Sequence, residues 1–184
     1  MKKYVLIAIV LFIISIILGV LFVDSFKPFL IEIINNLIEE TPTIEFLSLF
    51  QHNLQANLLI MIGGIFFSVF SICTLMINGA VLGSLSTFTS LDVYLLYIIP
   101  HGIFEFTALF ISFATALIIT KLIIRMIKGI FYKELTVKKQ LIQSLNLIKS
   151  IIMSVILVII LLIIAAFIET YLTTFIAETI LSII

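Results

Sequence analysis

Across 184 residues the chain is 63% hydrophobic and only 11% charged, against about 45–50% apolar and about 25% charged in an ordinary soluble domain. A chain of this size still needs a polar surface in water, so this one turns its surface to lipid, and a soluble fold is excluded. A formal net charge of zero removes nucleic acid as a partner, and one cysteine, Cys73, closes no intrachain disulfide.

Met1-Lys2-Lys3 opens onto an uncharged run over residues 4–23. That run exceeds the roughly 7–15 apolar residues of a signal peptide, and Leu21-Phe22-Val23-Asp24 is no cleavage site. A retained signal anchor is expected. About 20 residues at 1.5 Å each cross the hydrocarbon layer, and four further spans follow by that measure: 54–77, 78–99, 100–124 and 148–169. The segment 78–99 is weak, with Gly79, Gly83 and Asp92 inside it. It either completes a span, broken along its length, or pairs with the preceding segment as a re-entrant element; two spans are preferred.

Charge placement orients the set. Lys2 and Lys3 put the amino end in the cytoplasm. Lys121, Arg125, Lys128, Lys133, Lys138, Lys139 and Lys149 mark a second cytoplasmic stretch, while Glu32, Glu39, Glu40 and Glu45 suit the outside. The expectation is an all-α polytopic bundle of about five membrane helices, forming one membrane domain over 1–184 in the cell membrane. Its amino end is inside and its carboxyl end outside. Apolar residues at helical spacing also predict interfacial helices over 26–40, 42–52, 127–147 and 171–184.

Polar residues within the spans are the informative ones. In Pro100-His101-Gly102-Ile103-Phe104-Glu105, the histidine and the carboxylate are four apart and share a helix face. That face continues through Ala108, Ser112 and Ala116, a small-residue stripe that lets another helix approach. Pro100 suits a helix start, which would put Glu105 about 8 Å inside the outer face. Depth arithmetic then gathers His101, Glu105, Asn53, Asn57 and Glu169 into one outer-leaflet cluster. Two readings stay open: hydrogen bonds that lock the bundle, or ion and substrate handling. Asn78-Gly79 with Gly83 gives a Gly-x-x-x-Gly spacing for helix packing, and Pro100 and Gly102 are expected to serve packing in the next span. Gly63-Gly64 before Ser68 is similar.

No catalytic residue, cofactor or metal set is expected. His-Glu-x-x-His is absent, His52 is the only other histidine, and Gly83-Ser84-Leu85-Ser86 lacks the Gly-x-Ser-x-Gly elbow.

Taken together, Asn53, Gly63-Gly64, Asn78-Gly79, Gly83, Pro100-His101-Gly102-x-x-Glu105 and Ala166-Phe167-Ile168-Glu169-Thr170-Tyr171 resemble the stage II sporulation protein M family. Thr170 departs from it, standing where the family favours a small residue. The resemblance implies a polytopic membrane protein; the namesake acts in forespore engulfment beside a peptidoglycan hydrolase and a membrane-anchored partner, though the family extends beyond spore formers. The expected role is a non-catalytic subunit or scaffold of an envelope-associated complex, in contact with the lipid bilayer and with other envelope membrane proteins or copies of itself. The alternative is a transporter or channel component that uses the His101/Glu105 face.

Overall fold

A computed structural model describes residues 1–25, 27, 28, 31, 46–88, 90–132 and 137–181. The expected interfacial helix over 26–40, and the start of the one over 42–52, therefore lie largely outside the described residues. The described chain is all α. We label its helices α1 (Lys2–Leu21), α2 (Phe46–Ile62), α3 (Val69–Leu85), α4 (Leu91–Tyr132), α5 (Val137–Ile168) and α6 (Thr174–Leu181). A 3-10 turn, Gly63–Phe66, separates α2 from α3, and a π-helical turn, Glu169–Thr173, separates α5 from α6. Among the described residues, three segments are long and apolar enough to cross a membrane: Lys2–Leu21, Leu91–Gly129 and Ser144–Thr173. The shorter apolar helix α3 comes besides these.

Helix α4 is the pillar. Ala108, Ser112, Ala114, Thr115 and Ala116 are fully enclosed, and Phe113 nearly so, so the helix is surrounded on every side at this level. Small side chains make that possible, because they let neighbouring backbones come close. Helix α5 runs antiparallel to it, with Val158 and Leu162 packed in a cluster with Ala108 and Ile111. Helix α1 joins through Phe12, whose ring meets those of Phe106 and Phe110 at 5.4 and 5.3 Å between centroids. Most of the remaining surface of α1 and α5 is exposed Leu, Ile and Val, as lipid contact requires.

The span expected over 54–77 is broken in its middle. Gly63–Phe66 tightens into the 3-10 turn, and Phe67 and Ser68 take left-handed φ values of 55° and 61°. The chain thereby reverses, and α3 returns toward the end of the bundle from which α2 came. The break at this depth must satisfy its freed backbone groups within the protein. It does: Ser68 N–H donates to Gly63 O (3.1 Å), Ser71 Oγ to Ile60 O (2.6 Å) and Thr120 Oγ1 to Gly64 O (2.7 Å). The Ser68 hydroxyl meets Thr120 Oγ1 at 2.7 Å, which ties the tip to α4.

Residues 78–99 do not form one weak helix. They divide among the last turns of α3, a short link, and the first turns of α4. Pro100 accordingly lies inside α4 rather than at its start. Glu105 is fourteen residues beyond Leu91, about 21 Å along the helix, so it sits far deeper than a start at Pro100 would give. The 3.6-residue pattern continues through Pro100 because Leu96 need only lose one backbone partner there. The stretch 127–147 is likewise not a separate surface helix: its two ends belong to α4 and α5.

Helices α1 and α3 run parallel in backbone contact. A Cβ on Gly79 would overlap Ser15 and Phe12, one on Gly83 would overlap the Ile16 carbonyl, and one on Gly19 the Ala80 carbonyl. Ser84 Oγ completes the seam by donating to Gly19 O at 2.9 Å. We expect Gly83→Leu to cost about 1–3 kcal/mol by overpacking, read as reduced resistance to unfolding in detergent. Gly102→Ala should cost less than Gly83→Leu, since the nearest atoms to its added carbon are side-chain atoms of Phe106 at 3.0 Å and Ile98 at 3.2 Å rather than backbone.

Candidate functional site

The polar residues of α2, α4 and the end of α5 meet beside the pillar. Asn53 on α2 donates through Nδ2 to Glu105 Oε1 on α4. One turn further on, Asn57 Nδ2 donates to Asn53 O at 2.8 Å, and Asn57 Oδ1 accepts from Ser112 Oγ at 2.7 Å. The result is a continuous chain from Glu105 through Asn53 and Asn57 to Ser112, bridging α2 and α4 twice. Asn57 is only 5% exposed and Ser112 fully buried, so the inner bridge is inaccessible. The outer bridge is half-buried.

Glu169 sits in the π-helical turn, and its carboxylate is near enough to Glu105 for the two charges to interact. His101 goes elsewhere. Its Nδ1 lies 3.3 Å from Thr173 Oγ1, and that hydroxyl also lies 3.2 Å from Ile168 O. A hydroxyl has one proton to give; spent on Ile168 O, it leaves Nδ1 as the donor to Thr173 and Nε2 as a free acceptor. His101 and Glu105 thus share a face of α4 but clasp different elements, the first the π-turn and the second α2. The π-turn makes the first contact by adding a residue to one turn of helix, which brings Thr173 against α4. Thr173 was not legible beforehand, because no sequence signal announces a π-turn. Thr170, at the same turn, has a buried hydroxyl without a partner among the described residues.

His52 is exposed on α2, away from this cluster. Among the described residues, no group of three His, Cys, Asp or Glu is placed to hold a metal. Gly79 and Gly83 serve the α1–α3 seam, and Asn78 ties its Nδ2 to Thr74 O at 2.8 Å.

Between the arms of the α2–α3 hairpin lies a cavity of about 200 Å³. Asn53, Asn57, Asn78 and Glu105 provide its polar lining, and Phe12, Leu82, Leu109 and Leu162 are among its apolar walls. Nearer the hairpin tip Ile60 and Leu75 are fully buried and Ser71 bonds to Ile60 O.

The arrangement of Asn53, the hairpin glycines and the His101/Glu105 face belongs to one continuous stretch of chain, and a family model describes that stretch. The stage II sporulation protein M model matches residues 8–174. The chain belongs to that family. No curated protein and no solved structure shows significant similarity to it. The match runs from the second turn of α1 to the start of α6, so it takes in the hairpin, most of α1 and the other two long apolar helices. The protein is a multi-pass membrane protein.

Asn57→Leu should break the inner bridge and leave Ser112 without its partner. We expect a loss of about 0.6–2 kcal/mol, the span of values for interhelical hydrogen bonds in lipid, while Asn78→Leu should cost less because its bond stays within α3. Unfolding of the two variants in the same detergent, compared with the parent, checks the order.

Proposed function

We propose that this family member is a non-catalytic membrane subunit that organises an envelope-associated complex. The observation that carries the reading is how the intramembrane polar groups are spent. Asn53, Asn57, Ser112, His101 and Thr173 bond helix to helix, the behaviour of groups that fix a bundle's shape. A fixed bundle with wide lipid-facing surfaces offers other membrane helices a constant surface to pack on. His101, Glu105, Asn53, Asn57 and Glu169 are in this reading positioning residues.

The orientation we propose has the amino end in the cytoplasm and the carboxyl end outside. Lys2, Lys3, Lys121, Arg125 and Lys149 support it through the positive-inside rule. Met1 Sδ lies 3.8 Å from Ser154 Oγ, so the basic amino end and the basic ends of α4 and α5 share one side of the bundle. The hairpin leaves and returns to one side, so it alters no later crossing, whether it counts as two spans or as one re-entrant element. Three long helices then bring the carboxyl end outside. A cysteine added after Ile184, in a Cys73→Ser background, should react with a membrane-impermeant maleimide on intact cells. Reaction only after the membrane is opened would reverse the orientation.

A tagged copy purified in mild detergent should bring envelope proteins with it, and Glu105→Ala should lower their recovery several-fold while the protein itself still purifies. Isolation as a lone, defined oligomer would instead favour the transport reading. That reading has its own support in the polar cavity at Glu105, and ion flux in proteoliposomes would establish it.

A further inference from the structure

The cavity between α2, α3 and α4 has an unbalanced chemistry. Glu105 lines it, and Glu169 is close enough to act on Glu105 electrostatically. Lys and Arg are absent from residues 28–120 and from everything beyond Lys149. None of α2, α3, the start of α4 or the π-turn can therefore supply a counter-charge. Helix α1 contributes Phe12 and α5 contributes Leu162, both uncharged. Neither imidazole lines the cavity: His101 is committed to Thr173, and His52 is exposed.

The hydrogen-bond inventory points the same way. Asn57 gives one amide N–H to Asn53 O and accepts from Ser112 through Oδ1. Asn53 and Asn78 each use one amide N–H, on Glu105 and on Thr74 O, and no bond to either Oδ1 occurs among the described residues. Only one oxygen of Glu105 is taken by Asn53. What remains unspent is a carboxylate oxygen, two amide oxygens and the second N–H of each amide. Of these only the carboxylate carries formal charge, so the balance of the lining favours a cation. About 200 Å³ is many times the roughly 10–15 Å³ that admits one water, and the site offers the polar partners that water needs.

We propose that this crevice is a binding site for a singly charged cation, an inorganic ion or a protonated primary amine, held by Glu105 with Asn53 Oδ1 and Asn78 Oδ1. Three protein oxygens with one carboxylate among them are too few for a divalent ion such as calcium, which takes six to eight oxygens. A monovalent ion that keeps part of its hydration, or an ammonium head with three N–H donors, fits the count and the charge. The lining extends along α3 from Asn78 through Val81 and Leu82 to Leu85, away from the hairpin tip, which places the ligand's entrance on the side of the bundle opposite the amino terminus. This goes beyond the scaffold reading and stands without it.

The test uses the full chain in lipid nanodiscs, where both faces are open and membrane orientation does not enter. In a Cys73→Ser background, Ala56→Cys on the α2 wall and, as a second probe, Val81→Cys on the α3 wall are labelled with a cationic and an anionic methanethiosulfonate of similar size. Each rate is taken relative to that reagent's rate with a free thiol. The cationic reagent should gain about tenfold or more, the focusing expected of a charged cleft, and Glu105→Gln should remove most of the gain. Potassium or sodium that slows labelling identifies an inorganic ligand; ethanolamine that does so identifies an amine. Equal rates for the two reagents, a preference unchanged in Glu105→Gln, or protection by calcium alone would each overturn the proposal.

Discussion

A chain that turns around inside hydrocarbon must satisfy every backbone group it frees, since no water is there to do it. The tip of the α2–α3 hairpin meets that demand with three side-chain hydroxyls and one backbone amide. Ser71 takes the Ile60 carbonyl, Ser68 N–H takes Gly63, and Thr120 takes Gly64 while accepting Ser68. Two of the four bonds run to α4, so the turn is held by the pillar as well as by itself. Phe67 and Ser68 adopt left-handed backbone that L residues enter at a cost of order 1–3 kcal/mol each. Such a conformation persists where the surroundings determine it, and here they do. Were the tip to straighten, α3 would leave α1, and the wall of the crevice would leave with it.

The same economy of small residues governs both interfaces of the hairpin. Gly64 lies against the Ala116 backbone of α4, and Gly79 and Gly83 lie against α1. Close approach brings short side chains within reach of a neighbouring helix, which is why Asn57 can meet Ser112 and Asn53 can meet Glu105. Larger residues at 108, 112 or 116 would hold α2 and α5 away from α4, and the polar chain would open. In this bundle packing and polar bonding are one arrangement: the alanines set the distance and the amides use it.

Much of this was legible in the sequence, for reasons that can be named. Lipid makes hydropathy a direct signal, so α1 and the long apolar parts of α4 and α5 stand out. The i, i+4 spacing of His101 and Glu105 needs only a helix to place them on one face, and that survives the shift of the helix start from Pro100 to Leu91. The break at 63–68 was not legible. Gly63-Gly64 and Ser68 read as packing residues, because the bonds that permit a reversal come from Thr120, some fifty residues away in the chain. Asn78 appeared only as part of a glycine motif. Its place in the crevice follows from the fold of α3 back along α2, and no local pattern contains that information.

Helix α4 is 42 residues long, about 63 Å at the helical rise, roughly twice the hydrocarbon thickness. Lys121 is where the basic residues begin, and Tyr132 lies about 16 Å beyond it on the same unbroken rod. Val137 starts α5 on a parallel course back. The two helices therefore run side by side well past Lys121, over a length that exceeds what one hydrocarbon layer needs. A rod of that length works as a lever: any tilt imposed on one end of α4 would be carried along it as a larger swing of the other.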